Sequence, residues 1–234
     1  MEKMQYDEQL RLIGQGKPDE ILNGLVQISQ QSITGLQFFS FYKEVPVSSP
    51  GQVLYLFGDT LICPANPAQT NAIKQRRYVI IRADRLEHDV YANASYNSET
   101  DELTLSEFTY VEVMPDRRNS IRVRVAGLFL VVVEAGMEQF KAKLKDLSLG
   151  GCAIEISDRG LLGTFTYFNI NMEFELKNRT EPARIRVMSR LLRFENEGSP
   201  ARCIFLFEHD KRSEDVIGMY IAQRQAEIIR ELKS

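Results

Sequence analysis

The chain has 234 residues, of which 44% are hydrophobic and 26% are charged, and its formal net charge is −3 at pH 7. This composition excludes a disordered or fibrous chain and is sufficient for one large domain or two small ones. No apolar run reaches the roughly 20 residues that span a bilayer. The acidic start, MEKMQYDEQL, lacks the basic-then-apolar pattern of a secretion signal. We therefore expect a cytoplasmic protein without a membrane segment.

The cysteines and the overall charge narrow the classes of site that we expect. The three cysteines are odd in number and widely spaced, at Cys63, Cys152 and Cys203. This spacing argues against a disulfide framework and against a zinc site. A sequence pI near 5.6 disfavours a protein that coats nucleic acid, although a local basic cluster could still bind anions. We predict no metal and no cofactor.

The first half of the chain predicts one helix followed by strands. Residues Pro18 to Gln31 form an amphipathic pattern in which Pro18, Asp19 and Glu20 suit the first turn of a helix. Five strand-like segments follow between clusters of Pro, Gly, Asn and Asp. They read GLQFFSFY, QVLYLFGDTLIC, RYVIIRADRL, HDVYANASY and ELTLSEFTYVEVM. Pro115 then ends the last strand, and PDRRNS is typical of a linker.

The second half predicts a small barrel closed by a helix. Its clearest strand, FNINMEFEL, alternates apolar and polar residues. With it, the segments IRVRV, LFLVVVE, KAKLKDLS, CAIEI, ARIRVMSRLLRF and RCIFLFE give six or seven short strands at barrel-like spacing. From Ser213 to Leu232 the period changes to that of a helix, with Ile217, Ile221, Ile228 and Leu232 on one face. The predicted fold class is mainly β, with two small β-barrel domains and a C-terminal helix.

A basic cluster stands at the predicted boundary between the halves. Arg117, Arg118 and Arg122 fall within six positions, and Arg124 extends the series to eight. Such a cluster is commonly a solvated linker. Guanidinium groups also bind phosphate oxygens, and the O6/N7 edge of guanine, in a bidentate manner. The cluster by itself leaves both readings open.

The segment DLSLGG at 146–151 carries a second candidate site. Asp, Ser and Gly-Gly are turn formers, and a hairpin between KAKLK and CAIEI needs a turn. Alternatively, the Asp146 carboxylate could accept hydrogen bonds from the N–H groups of guanine, with Ser148 pointing the same way on a pleated chain. Gly150 and Gly151 would then let a flat ring approach the backbone.

Together the two segments resemble the PilZ domain, a receptor for the bacterial second messenger cyclic di-GMP. The resemblance lies in R-x-x-x-R at Arg118 and Arg122, followed by D-x-S-x-x-G at Asp146, Ser148 and Gly151, and it covers about residues 115–234. It implies a six-stranded barrel that binds cyclic di-GMP through these residues and through Arg117 and Gly150. It also implies that Cys152 is a packing residue. Arginine at the position of Arg117 implies two stacked ligand molecules per domain.

The first half is similar to the start of YcgR-like flagellar brake proteins, in which a helix leads into a PilZ-like split barrel. This similarity implies an N-terminal domain at 1–114 and a PilZ domain at 115–234. It further implies a receptor whose domain arrangement changes on binding, which regulates flagellar motility or biofilm formation. The implied partner lies in the flagellar motor at the basal body, and the downstream pathway and oligomeric state, including a homodimer, stay open.

Other functions are less well supported by the sequence. The alternative is a nucleic-acid-binding transcriptional regulator that uses the Arg117–Arg124 cluster, which the net charge disfavours. An enzyme is not expected, because the chain shows no nucleophile, base or metal motif. A second basic series could line the ligand site, but its spacing does not say which member does so: Arg184, Arg186, Arg190 and Arg193.

Overall fold

The computed structural model of the chain describes residues 10–14, 17–31, 35–83, 85–113, 120–195 and 199–233. The chain divides into two compact units, which are described separately. The first unit takes Met1–Tyr42, Pro46–Arg118 and Glu231–Ser234, and the second takes Lys43–Val45 and Asn119–Arg230. The predicted boundary between residues 114 and 115 lies outside the described residues and stays a prediction.

The first unit contains eight strands and two helices within the described residues. In chain order they are β1 (Leu10–Gly14), α1 (Pro18–Gln31), β2 (Leu36–Tyr42), β3 (Val45–Gly51), β4 (Tyr55–Phe57), β5 (Thr60–Pro64), α2 (Pro67–Arg76), β6 (Tyr78–Arg82), β7 (Asp89–Asn97) and β8 (Glu102–Val113). The strands form one sheet in the order β3-β2-β6-β7-β8-β5-β4. Strand β1 pairs with the far end of β8, so β5 and β1 share one edge of that long strand.

Helix α1 covers the core of this unit. Ile21 and Leu25 are fully buried on the face that the sequence predicts, and they belong to one cluster with Phe38 of β2 and Leu103 and Leu105 of β8. The predicted bounds of this helix are confirmed. An amphipathic helix on one sheet face is the usual way for such a sheet to bury its apolar side.

The second unit contains six strands and one long helix within the described residues. They are β9 (Arg122–Ala135), β10 (Glu138–Ser148), β11 (Gly151–Ile156), β12 (Tyr167–Phe174), β13 (Ala183–Phe194), β14 (Ala201–Glu208) and α3 (Lys211–Lys233). The six strands close into a barrel in the order β10-β11-β14-β13-β12-β9. The resolved pairs are antiparallel, and closure removes the exposed edges that an open sheet would keep.

The barrel core follows the predicted alternation. On β12 the side chains of Phe168, Ile170, Met172 and Phe174 are at most 2% exposed. Phe205 of β14 meets Phe168 edge-on, with ring centroids 5.4 Å apart. The mainly β fold, the six-stranded barrel and the C-terminal helix are therefore confirmed.

Helix α3 packs on the barrel through an aromatic cluster. The ring of Tyr220 lies 4.7 Å from that of Phe174 and 5.9 Å from that of Phe129. The predicted apolar face of α3 is buried, because Ile217 and Ile228 are both fully inaccessible. No helix in the described part of the chain is long and apolar enough to cross a membrane.

Three local features differ from the sequence-based expectation. The predicted strand QVLYLFGDTLIC is a hairpin of β4 and β5, because the chain turns at Gly58, which has a left-handed φ of 61°. The segments IRVRV and LFLVVVE are one 14-residue strand, β9, in which Gly127 adopts a left-handed φ of 57°. In the pairing of β9 with β10, Leu144 lies opposite Phe129 and Asp146 lies opposite Arg124. The stretch of β9 between these two pairs is therefore longer than the matching stretch of β10, as in a β-bulge. Helix α2 was not predicted at all. Its sequence is polar, and it is held by the buried Gln69, whose side-chain amide donates to the carbonyl of Phe38.

Candidate functional site

The D-x-S-x-x-G segment forms the end of β10 and the beginning of β11. Ser148 lies opposite Gly151 on β11 and opposite Arg122 on β9, so the three residues form one row across three strands. Asp146 lies two residues away on β10, opposite Ala153. Adjacent rows on one sheet place side chains within reach of a common ligand. The barrel therefore brings Arg122, Asp146 and Ser148 together.

A register shift on β10 allows Asp146 and Ser148 to lie on the same side of the strand. The pairing shifts between Leu144 and Asp146 on both neighbouring strands. Leu144 and Leu147 are both fully buried, although residues three apart on a regular strand face opposite sides. Because of the shift, Leu144 and Leu147 both face the barrel core, while Asp146 and Ser148 lie on the other side of β10.

Asp146 is a buried carboxylate held between two arginines. Its side chain is 3% exposed, and Arg202 Nη2 donates to Oδ2 at 2.6 Å. Arg122 Nε lies 3.3 Å from Oδ1, an ion pair without hydrogen-bond geometry, so Oδ1 is buried without a hydrogen bond from the described residues. Burial raises the pKa of Asp146, and Arg122 and Arg202 oppose that rise.

This geometry fits a ligand that carries N–H donors. A buried acceptor without a hydrogen bond costs about 1–3 kcal/mol, which a donor on the ligand would recover. The N1–H and N2–H groups of guanine form a pair of donors of the kind that a carboxylate accepts. The site can thus offer a carboxylate to a base edge and a guanidinium, from Arg122, to a phosphate or a second edge.

Ser148 offers the ligand its oxygen rather than its proton. Its Oγ donates to the carbonyl oxygen of Gly151 at 3.1 Å, across the turn of the hairpin. A hydroxyl has one donor hydrogen and two acceptor lone pairs. With the hydrogen used inside the turn, Ser148 can accept from a ligand without losing this bond.

The two glycines of the turn have different surroundings. A Cβ on Gly151 would lie 2.1 Å from the carbonyl oxygen of Phe205, so β14 occupies that space. A Cβ on Gly150 would meet nothing closer than Ser120 Oγ, at 3.9 Å. The close approach at Gly151 is therefore to a neighbouring strand, whereas the open side of Gly150 leaves room for a ligand.

Two predicted site residues, Arg117 and Arg118, lie outside the described residues. Their roles stay predictions. Arg202 was missed by the sequence reasoning, although it makes the shortest contact to Asp146 among the described residues. Its alternation with the buried Ala201 and Cys203 on β14 predicts an outward side chain, but its approach to Asp146 depends on the pairing of β11 with β14.

The second basic series is distributed over different surroundings. Arg184, Arg186 and Arg193 each pair with a carboxylate, on Glu173, Glu134 and Glu195 respectively. Arg184 and Arg186 also line a groove of about 640 Å³ that includes none of Arg122, Asp146, Ser148 or Gly151. Arg190 differs from them, because it lies opposite Leu206, which itself lies opposite Gly151. By register, Arg190 is thus the member of the series in the same row as the motif.

Within the described ranges, no group of three or more His, Cys, Asp or Glu side chains could hold a metal ion. The buried site is instead a mixture of one carboxylate, two guanidinium groups and a hydroxyl. Such a set binds anionic and hydrogen-bonding organic groups.

Comparison with known proteins identifies the class of this barrel. Residues 116–223 match the PilZ domain family model, so the resemblance drawn from the sequence is confirmed for that part of the chain. No curated protein matches the chain.

Several solved structures are similar to the chain at low identity. YcgR of Escherichia coli, in complex with c-di-GMP, is 14% identical, with 97% of this chain and 98% of that chain covered and a TM-score of 0.40. The Bacillus subtilis inhibitor of motility, MotI/DgrA, is 11% identical, with coverage of 84% and 98% and a TM-score of 0.40. The K. pneumonia MrkH–c-di-GMP complex is 11% identical, with coverage of 92% and 97% and a TM-score of 0.42.

Proposed function

We propose that the protein is a non-enzymatic receptor for cyclic di-GMP and that it binds this ligand at the end of β10. The observation that carries the proposal is the buried Asp146, whose Oδ1 accepts no hydrogen bond from the described residues and lies beside Arg122 and Ser148 in the part of the chain that matches the PilZ family model. The proposed ligand residues are those of the two sequence motifs and their flanking positions, Arg117, Arg118, Arg122, Asp146, Ser148 and Gly150. Gly151, which the motif also contains, is needed for the close approach to β14.

Each group has a separate task in this proposal. Asp146 accepts hydrogen bonds from the Watson–Crick edge of one guanine, and Ser148 adds a neutral acceptor beside it. Arg118 and Arg122 bind phosphate oxygens or the O6/N7 edge through bidentate contacts. Gly150 leaves space for the ring. These groups bind the ligand through hydrogen bonds and ion pairs alone, so the proposal includes no chemical change of the ligand.

A set of single substitutions tests these roles by calorimetry. Arg118→Ala, Arg122→Ala and Asp146→Ala should each weaken binding by about 5- to 150-fold, since a good bidentate contact contributes about 1–3 kcal/mol. Ser148→Ala should cost less, because a neutral hydrogen bond contributes about 1 kcal/mol. Arg184→Gln is the matched control, because Arg184 lies in a different groove and pairs with Glu173. If Ser148→Ala weakened binding more than the arginine variants, the assigned roles would be wrong.

We propose that the receptor has a YcgR-like N-terminal domain at 1–114 and a PilZ domain at 115–234, and that ligand binding changes their arrangement. The support is the position of Arg117 and Arg118 at the very start of the proposed PilZ domain, next to its boundary with the N-terminal domain. A ligand that prefers one arrangement by about 3 kcal/mol shifts the population on the order of a hundredfold. Small-angle scattering with and without saturating ligand should show a change in compactness, and superimposable profiles would exclude the rearrangement.

Arg117 leads us to propose two ligand molecules per PilZ domain. A second dinucleotide brings two more phosphate charges, which another fixed cation would neutralise, and a guanidinium can also stack on guanine. Arg117→Leu should therefore reduce the calorimetric stoichiometry from two to one while the first molecule still binds. One ligand per chain in both proteins would refute this role.

The cellular role that we propose is control of flagellar motility or biofilm formation by a cytoplasmic protein that contacts the flagellar motor. The support is the YcgR-like pattern of the first half, whose leading helix has the predicted bounds. Swimming of a deletion strain that carries the wild-type gene or the Asp146→Ala gene tests this role. Equal swimming of the two strains at raised cyclic di-GMP would contradict it.

Titration with DNA across salt concentrations tests the alternative of a nucleic-acid-binding regulator, because phosphate-dominated binding weakens steeply with salt.

A further inference from the structure

We propose that Arg202 on β14 is a positioning residue of the ligand site, which holds the Asp146 carboxylate through Oδ2 so that Oδ1 faces the incoming guanine. This inference rests on the proposed function and adds a residue that neither sequence motif contains. Arg202 acts through Asp146 and contacts no ligand atom in this account. The geometry that supports it is a chain of ion pairs across three strands.

Arg202 is also paired with Glu195, the residue that directly follows β13. Arg202 Nε lies 3.0 Å from Glu195 Oε2, an ion pair without hydrogen-bond geometry, and the backbone N–H of Glu195 donates to the carbonyl of Arg202 at 2.9 Å. Arg193 Nη2 holds the second carboxylate oxygen, Oε1, at 3.1 Å. The Glu195 side chain is 7% exposed, so this anchor is shielded from water. The ion pair and the backbone hydrogen bond keep Arg202 beside Glu195, while Nη2 of the planar guanidinium donates to Asp146.

The two arginines at Asp146 differ in whether they form a hydrogen bond with the carboxylate. Arg202 donates to Oδ2 at 2.6 Å, with hydrogen-bond geometry. Arg122 lies 3.3 Å from Oδ1 without such geometry, and the proposed function has Arg122 engage the ligand. Once Arg122 turns to the ligand, Arg202 is the remaining cation of the described residues that pairs with Asp146. A buried carboxylate that loses its partners takes up a proton or becomes misplaced.

The ionised form of Asp146 is the form that the ligand needs, because a protonated carboxyl has less acceptor capacity. Burial raises the pKa of Asp146, while Arg122 and Arg202 oppose the rise. Glu44, which belongs to the same compact unit, raises it further. Removal of Arg202 takes away one of the two opposing cations. Protonation of Asp146, and with it the loss of ligand affinity, should then begin at higher pH.

The experiment measures cyclic di-GMP affinity of the full chain between about pH 4 and about pH 8, together with thermal unfolding without ligand. The variants are Arg202→Gln, Arg202→Lys and the control Arg184→Gln, which removes an exposed guanidinium paired with Glu173. We expect Arg202→Gln to weaken binding about tenfold or more at neutral pH, since hydrogen bonds to charged groups are among the stronger ones. Its loss of affinity on acidification should start at higher pH than in the wild type. Arg202→Lys should restore part of both properties, and Arg184→Gln should match the wild type.

A plot of affinity against pH for Arg202→Gln that superimposes on that of the wild type would overturn the proposal. A loss of affinity that is the same at every pH would also overturn it, because the pH at which affinity is lost in acid would then be unchanged. If Arg202→Gln does not fold, Glu195→Gln provides the test, because it removes the charge that is paired with Arg202 Nε and should shift the profile in the same direction by a smaller amount. An unshifted profile of Glu195→Gln would then refute it. Failure of the proposed function is distinguishable, because the wild type itself would not bind.

Discussion

Gly151 gives the sharpest prediction about the fold beneath the site. Replacement by alanine would put a Cβ 2.1 Å from the carbonyl oxygen of Phe205, 3.1 Å from its carbonyl carbon and 3.3 Å from Leu206 Cα. All three are backbone atoms of β14, so the strand itself must shift. The ring of Phe205 is fully buried against Phe168 and resists that shift. Overpacking of this kind costs about 1–3 kcal/mol.

Thermal unfolding followed by circular dichroism measures this cost. One kcal/mol changes Tm by about 2–4 °C in a chain of this size, so Gly151→Ala should unfold about 2–12 °C below the wild type. Gly150→Ala is the matched control, because its Cβ would meet only Ser120 Oγ, at 3.9 Å. A substitution at such an open site should stay within about 0.5 kcal/mol of the wild type. Equal melting temperatures of the two variants, or a lower one for Gly150→Ala, would refute the reasoning.

The remaining predictions concern the thiols, the core and the cap of α3. Burial raises the pKa of Cys63 to about 12 and that of Cys203 to about 11, so neither thiol should react with a thiol reagent at mildly alkaline pH until the protein is unfolded; fast labelling of the native protein would contradict this. Phe174→Ala should cost about 3–5 kcal/mol in urea unfolding, because its buried ring joins the barrel to α3; a loss below about 1 kcal/mol would exclude that role. The backbone N–H of Ser213 donates to Asp210 and lowers the pKa of Asp210. At pH values above the ordinary aspartate pKa of 3.8, Asp210→Ala should therefore have a lower Tm than the wild type. This difference in Tm should vanish as the pH falls through the lowered pKa that Asp210 has in the folded protein. A difference in Tm that persisted in acid would contradict the role of Asp210 as the cap of α3.

The elements that the sequence predicts well are those with a strong local period. Helix α1 starts at Pro18 and carries one continuous apolar face, and strand β12 alternates without interruption. Helix α2 escapes prediction because its burial depends on Ala72, Ile73 and the polar Gln69 rather than on an apolar stripe. Its stability comes from packing on β2, which local propensity does not contain.

The candidate site also contains residues that the sequence predicts and residues that only the folded barrel brings to it. Asp146, Ser148 and Arg122 follow from motif spacing, because residues two apart on a strand share a face. Arg202 lies 56 positions from Asp146 and reaches it only through the pairing of β10, β11 and β14. Strand register of this kind is a property of the folded barrel. The need for glycine at position 151 is likewise set by the neighbouring strand β14.

Calorimetry of the purified full chain with cyclic di-GMP tests the central claim most directly. We expect saturable binding at micromolar ligand by the wild type and by Arg184→Gln, and a loss of about 5- to 150-fold in Asp146→Ala. Circular dichroism of Asp146→Ala in the same buffer verifies that the variant is folded. No binding by the folded wild type, or equal affinity of the wild type and folded Asp146→Ala, would contradict the account.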